Sequence, residues 1–120
     1  MQIAISCQNW NYTKEIIEKT GEFNLSVLTE NVDFATIKRF GMQSGREVDK
    51  FEGFKGLSRS HNGLYALTEN TNVTFSVKVN KKIELSTHTM FIGEVTESAK
   101  LSDDKPCTYA YYHSNIKNKN

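Results

Sequence analysis

The sequence predicts a mainly β domain, a small barrel or a β-rich α+β fold with short peripheral helices, and three observations carry that prediction. Val73, Phe75, Val77 and Val79 alternate with Thr74, Ser76 and Lys78, the two-residue period of a strand with one buried face. A turn signal at Ser86 and Thr87 leads from that segment into a nearly continuous apolar run, His88 to Val95, so the two read as a hairpin near the C-terminus. The helical patterns that separate the strands are short, which makes them additions to a sheet. A chain of 120 residues fits one domain spanning 1–120, and at this size folding buries roughly two thirds of the surface that the unfolded chain exposes.

Taken in order, Gln2 to Cys7 suits a short strand, and the polar turn Gln8 to Asn11 after it is interrupted by Trp10. A helix follows, because Asn11 or Thr13 can cap its exposed N–H groups, Ile16 and Ile17 give it an apolar face, and Gly21 stands where a left-handed residue ends it. Phe23, Leu25 and Val27 then alternate with Asn24, Ser26 and Leu28, a strand buried mainly on one face. From Asn31 the spacing is helical again: Phe34, Ile37 and Phe40 recur every third residue and Gly41 supplies a stop. Met42 to Gly63 carries four glycines and many charges with few periodic apolar positions, so a long irregular segment is expected there. Long loops in compact domains are usually functional or disordered. Ile83 and Leu85 prolong the Val73–Val79 strand past a bulge near Asn80. Pro106, the only proline, opens a tyrosine-rich tail, Cys107 to Ile116, suited to a helical turn or a packed arm.

Composition excludes several classes. Apolar residues are 38% of the chain, and 15 Lys and Arg nearly balance 14 Asp and Glu, so neither disorder nor a basic nucleic-acid surface is favoured. No stretch approaches the roughly 18 apolar residues of a membrane span, and Met1 to Cys7 lacks a basic region and a cleavage site, so no membrane association and a cytoplasmic location are expected. Cys7 and Cys107 have neither CxxC spacing nor a histidine pair, which makes them reduced thiols and gives no metal site. The sequons at Asn11, Asn24 and Asn72 are chance matches without a secretory signal.

Three segments, spaced along nearly the whole chain, carry a more specific message. The first is Asn11-Tyr12-Thr13, placed after a strand and before a helix that ends in Thr20-Gly21-Glu22-Phe23-Asn24-Leu25-Ser26-Val27-Leu28. The second is Phe40-Gly41-Met42-Gln43-Ser44-Gly45-Arg46-Glu47-Val48-Asp49-Lys50-Phe51, and the third is Thr87-His88-Thr89-Met90-Phe91-Ile92-Gly93-Glu94-Val95. Together, with the tail Tyr109-Ala110-Tyr111-Tyr112-His113, they resemble the flavin-reductase-like family of FMN-binding split barrels, which includes flavoredoxins and the flavin domains of rubredoxin-reducing proteins. The resemblance implies a split barrel, a homodimer and bound FMN. It further implies electrons arriving from NAD(P)H or a redox protein and leaving to flavin, rubredoxin or another acceptor. In the family several strands precede the one that Gln2 to Cys7 resembles, so the barrel is expected to be incomplete at its N-terminus.

FMN presents a dianionic phosphate, a polar ribityl chain and a flat apolar ring, so its site needs donors, positive charge and a partly dry wall. Thr13, at a helix start, suits the phosphate; an ordinary helix cap uses the same donors. Ser44, Gly45 and Arg46 form a donor-rich turn in which Arg46 can grip phosphate with a forked contact, the plain alternative being a solvated loop. Lys50 can set a compact charge beside the flavin or pair with Asp49 on the surface. By the resemblance His88 lies beside flavin and nicotinamide, which makes it the candidate catalytic residue, by positioning for hydride transfer and without acid–base work. A histidine at a strand end is otherwise a structural residue. Asn9 joins the cofactor set at a place where close relatives often carry a lysine near the phosphate, and Ser86 stands where the hairpin commonly has glycine. Trp10 is placed to stack on the flavin or to seal an open barrel edge. Tyr109, Tyr111, Tyr112 and His113 offer amphipathic surface for a subunit interface, for covering a ring or for core packing.

Two functions of different kind follow. One is an FMN-dependent oxidoreductase or electron-transfer protein in which Thr13, Lys50 and His88 hold or tune the cofactor. The other is a non-catalytic dimeric remnant with weak or no FMN binding, since absent strands leave a sheet edge exposed. A nucleic-acid module is a distant third, because no basic-aromatic stripe is visible.

Overall fold

The computed structural model describes residues 1–41 and 56–117. Strands β1 (Gln2–Gln8), β2 (Glu22–Leu28), β5 (Thr71–Glu84) and β6 (His88–Lys100) form an antiparallel sheet in the order β1-β6-β5-β2, and β3 (Leu57–Arg59) pairs with β4 (Tyr65–Leu67) in a separate small hairpin. Helix α1 (Tyr12–Thr20) joins β1 to β2, and α2 (Phe34–Gly41) follows β2. The tail forms a short helix α3 (Tyr109–Tyr111) that runs into a π-helical turn, Tyr112–Ile116. The fold is mainly β with peripheral helices, as the alternating patterns predict. No helix among the described residues is long and apolar enough to cross a membrane.

The core lies on one face of the sheet. Ile3, Ile5 and Cys7 of β1 stand opposite Gly93, Phe91 and Thr89 of β6, while Phe23 and Leu25 of β2 stand opposite Val77 and Phe75 of β5. Paired residues share a face, so these side chains converge, and Phe91 and Val77, each 1% exposed, are its most deeply buried members. Helix α1 closes one side by burying Ile17, while Ile16 stays largely in solvent. Gly21 ends α1 as expected: it takes a left-handed φ of 73° and returns its N–H to Ile17 O at 2.8 Å.

Two bulges bend the long central pair. Asn80 is the extra residue between the pairs Val79↔Gly93 and Lys81↔Ile92, where the sequence predicts a bulge. Thr96 is extra in β6, between Val77↔Val95 and Ser76↔Glu97, and its hydroxyl donates to Ser76 O at 3.2 Å. This second bulge explains why β6 runs to Lys100 when the apolar run ends at Val95. Beyond Thr96 the strand continues through Glu97, Ser98, Ala99 and Lys100, which pair with Ser76 back to Val73 and carry no large apolar side chain. At the first bulge the strands approach so closely that a Cβ on Gly93 would stand 2.6 Å from Val77 Cγ1 and nearer still to the Lys78 carbonyl oxygen.

The β3–β4 hairpin departs from expectation, because part of the segment read as irregular, from Leu57 onward, is strand. Polar contacts attach it. The Asn24 carboxamide donates to Ser60 Oγ (2.9 Å) and Tyr65 O (3.1 Å) and accepts from Asn62 Nδ2 (2.9 Å), and Leu67 N–H donates to Ser26 Oγ (3.1 Å). The polar face of β2 is therefore a docking surface for the hairpin. The tail returns along the end of β2 through Glu30 N–H to Lys105 O (2.9 Å) and Cys107 N–H to Leu28 O (2.7 Å), and Thr108 then caps α3.

Gly93→Ala is expected to lower the free energy of unfolding by about 1–3 kcal/mol, the usual cost of overpacking against atoms that cannot retreat. Urea denaturation at neutral pH checks this, with the midpoint falling and the slope unchanged.

Candidate functional site

The residues that suggest chemistry meet where β1 and β6 end together. Gln8 closes β1 opposite His88, the first residue of β6. The chain then turns, with Asn11 N–H donating to Gln8 O at 3.0 Å, and enters α1. Asn11 supplies the cap, its side chain accepting from Thr13 N–H at 3.3 Å. Thr13 is the second residue of the helix, and its hydroxyl is not consumed by the cap.

The turn between β5 and β6 sits against this helix start. Leu85 N–H donates to His88 O at 2.8 Å, which leaves Ser86 and Thr87 as a two-residue loop. Such loops usually close in mirror-image turns that need a positive φ, and among the described residues Asn70 is the only non-glycine with one. The carbonyls at this loop find a donor elsewhere. Asn9 Nδ2 reaches Leu85 O (3.2 Å) and Ser86 O (3.4 Å), Asn9 N–H donates to Thr87 O (2.9 Å), and Asn9 Oδ1 accepts from the Thr89 hydroxyl (2.7 Å). His88 alternates onto the face of Met90 and Ile92, opposite Phe91, as expected, with its Nδ1 2.8 Å from Thr87 Oγ1. Trp10, 63% exposed, projects from the same corner.

Charge around α1 is organised into a chain of ion pairs. Lys14 and Glu18 meet at 2.8 Å along the helix, Glu18 meets Lys82 of β5 at 2.9 Å, and Lys82 meets Glu84 at 3.2 Å. Hydrogen bonds from Lys14 and then Lys82 hold the Glu18 carboxyl below the usual carboxylate range, and Glu18, then Glu84, raise Lys82. This network ties the helix to the central strand beside the corner. Glu15 adds a carboxylate to the first turn, which opposes an anion there, while the dipole and the Thr13 hydroxyl favour one.

Of the candidate cofactor residues, the structure thus brings Asn9, Trp10, Thr13 and His88 to one corner. Ser44, Gly45, Arg46 and Lys50 lie outside the described residues. The tail ring systems form a separate group, with Tyr109 and His113 edge to face at 4.2 Å and Tyr112 and His113 at 5.2 Å; Tyr109 is 78% exposed. Asn11 is the cap, one of the two residues the sequence offered for it, and Thr89 was missed as a participant because its partner stands 80 positions away. No group of three or more potential metal-ligating residues occurs among the described residues.

Residues 1–119 match the flavin reductase like domain family, and the chain belongs to that family. It is 40% identical over 111 residues to the high molecular weight rubredoxin of Moorella thermoacetica, covering 92% of this chain and 48% of that protein. It is 32% identical over 113 residues to the ferric-chelate reductase (NAD(P)H) of Archaeoglobus fulgidus, covering 94% of this chain and 66% of the relative. The chain therefore spans about half of the first of these and somewhat less than two thirds of the second. The fold is shared with the crystal structure of the FMN-binding protein from Thermus thermophilus with bound p-hydroxybenzaldehyde, at a TM-score of 0.72 and 21% identity over 82% of this chain and 54% of that one. The split-barrel architecture implied by the sequence resemblance is met in these neighbours.

Two outcomes test the corner. Asn11→Ala is expected to cost about 1 kcal/mol of stability in urea denaturation, since Thr13 N–H loses its acceptor. The Glu18 contribution has a defined pH window: its folded-state pKa lies below the unfolded value of about 4.3, so the stability it adds is present above that pH and lost as pH falls through the folded value. Glu18→Gln is accordingly expected to lower the urea midpoint at pH 7, by a difference that shrinks as pH falls below about 4.3.

Proposed function

We propose that this corner binds FMN and that the chain is a flavin-reductase-type oxidoreductase or electron-transfer domain, passing electrons from NAD(P)H or a redox protein to flavin, rubredoxin or another acceptor. The observation that carries the reading is the junction of the α1 start with the turn at His88, held by Asn9 N–H to Thr87 O at 2.9 Å. Donors fit for phosphate and a ring-contacting histidine are thereby set side by side. The names of the relatives, a rubredoxin and an NAD(P)H-dependent reductase, support the donors and acceptors, and the FMN-binding neighbour supports the choice of flavin.

The donor set suits FMN. The α1 terminus brings the positive end of its dipole to the corner and Thr13 adds a hydroxyl, while the Thr13 N–H is held by the Asn11 cap. Trp10 and His88 supply flat faces for the ring, and by the family resemblance the proposed site extends to Ser44, Gly45, Arg46 and Lys50, which lie outside the described residues. Flavin, when bound, provides the hydride and electron chemistry. The residues orient: His88 holds ring and nicotinamide in register, and Lys50 favours negative charge near the ring carbonyls. The homodimer belongs to the same reading, with Trp10 and Tyr109 as its exposed aromatic contacts, and so does a cytoplasmic location, where the unpaired Cys7 and Cys107 stay reduced.

The purified protein, mixed with FMN and desalted, is expected to keep the visible flavin absorption bands, and His88→Ala and Thr13→Ala are each expected to weaken FMN binding by about tenfold, the worth of one lost charge-assisted or stacking contact. Absence of retained flavin overturns the reading in favour of a non-catalytic module. Sedimentation as a monomer at high concentration overturns the dimer.

A further inference from the structure

We infer that Asn9 is a positioning residue of the flavin site, acting through the turn that carries His88 and not by contact with the flavin phosphate; the inference rests on the flavin reading above. A carboxamide has two N–H donors and one carbonyl acceptor. In Asn9 the nitrogen is turned to the hairpin, toward Leu85 O at 3.2 Å and Ser86 O at 3.4 Å, and the oxygen is held by the Thr89 hydroxyl at 2.7 Å. Thr89 is 1% exposed, so its hydroxyl, cut off from water, depends on this bond to the half-buried Asn9. With its donors committed, the side chain has none left for an anion.

The turn needs the clamp. Ser86 and Thr87 close the hairpin without a positive φ, and Asn9 supplies the donor that Leu85 O and Ser86 O take. Because the Asn9 backbone is also bonded to Thr87 O, one residue fixes the spacing between the helix start and His88. Misplacing a reacting group by about an ångström is enough to forfeit much of its contribution.

Binding of two probes, FMN and riboflavin, to wild type, Asn9→Ala and Thr89→Val well below the melting temperature separates the possibilities, since riboflavin has the ring but no phosphate. Asn9→Ala is expected to weaken both ligands by the same factor, about five- to tenfold, and Thr89→Val, which removes only the hydroxyl that holds Asn9 Oδ1, by about two- to threefold for both. In a His88→Ala background Asn9→Ala is expected to add no further loss, and amide exchange of Leu85 to Thr89 in the ligand-free protein is expected to quicken. Weakened FMN with unchanged riboflavin means phosphate contact; it overturns the positioning role and leaves the flavin reading standing. Lost stability with unchanged affinity for both ligands overturns it as well, because a merely structural clamp gives that pattern. Wild-type protein that binds neither ligand overturns both readings.

Discussion

The pairing of β5 with β6, from Val73 opposite Lys100 to Glu84 opposite Thr89, occupies the middle of the sheet, and the other two strands of that sheet attach to one member each: β1 to β6 and β2 to β5. A slip of one residue would turn every core side chain to the opposite face. Gly93 guards against it, since the approach of Lys78 and Val77 admits no side chain at that place. Phe91, Val77 and the residues opposite them can converge only in this register, so the core and the end of the hairpin are set by the same constraint.

That end holds the candidate site. The central pair delivers His88 beside Gln8, and β1 has no room to continue once its partner has ended, so the chain turns directly into α1. Backbone carbonyls left over at one turn are met by a side chain from the other, and the ion pairs from Lys14 through Glu18 to Lys82 tie the helix to β5. The corner is therefore stiffened from two directions by polar groups. A flat cofactor with a charged tail is well served by such a place, because the groups that meet its two ends are held at a fixed spacing before it arrives.

The sequence carried most of this sheet because β2 and β5 announce themselves by alternation, β6 by a nearly continuous apolar run, and α1 by its ends, Asn11 before it and Gly21 after it. What escaped reading has a common physical cause. The β3–β4 hairpin is held by Asn24, Ser26, Ser60 and Asn62, and polar docking leaves no hydrophobic period to detect. The far half of β6 was hidden by the Thr96 bulge, after which the strand is polar and exposed. Asn9 was legible only through the family resemblance, as a phosphate-side position, since its partners Leu85, Ser86 and Thr89 stand 76 to 80 residues away. Trp10, Thr13 and His88 were marked by the family strings around them, and the geometry of their meeting came from the fold alone.

The lone tryptophan stands at this corner with most of its indole in water. Every photon of tryptophan emission from the protein therefore originates beside the helix start and the β5–β6 turn, and its colour and intensity monitor that neighbourhood without any attached dye. Any ligand seated there and any local melting would change the polarity or quenching around the same ring, which makes the chain a built-in optical sensor of that region.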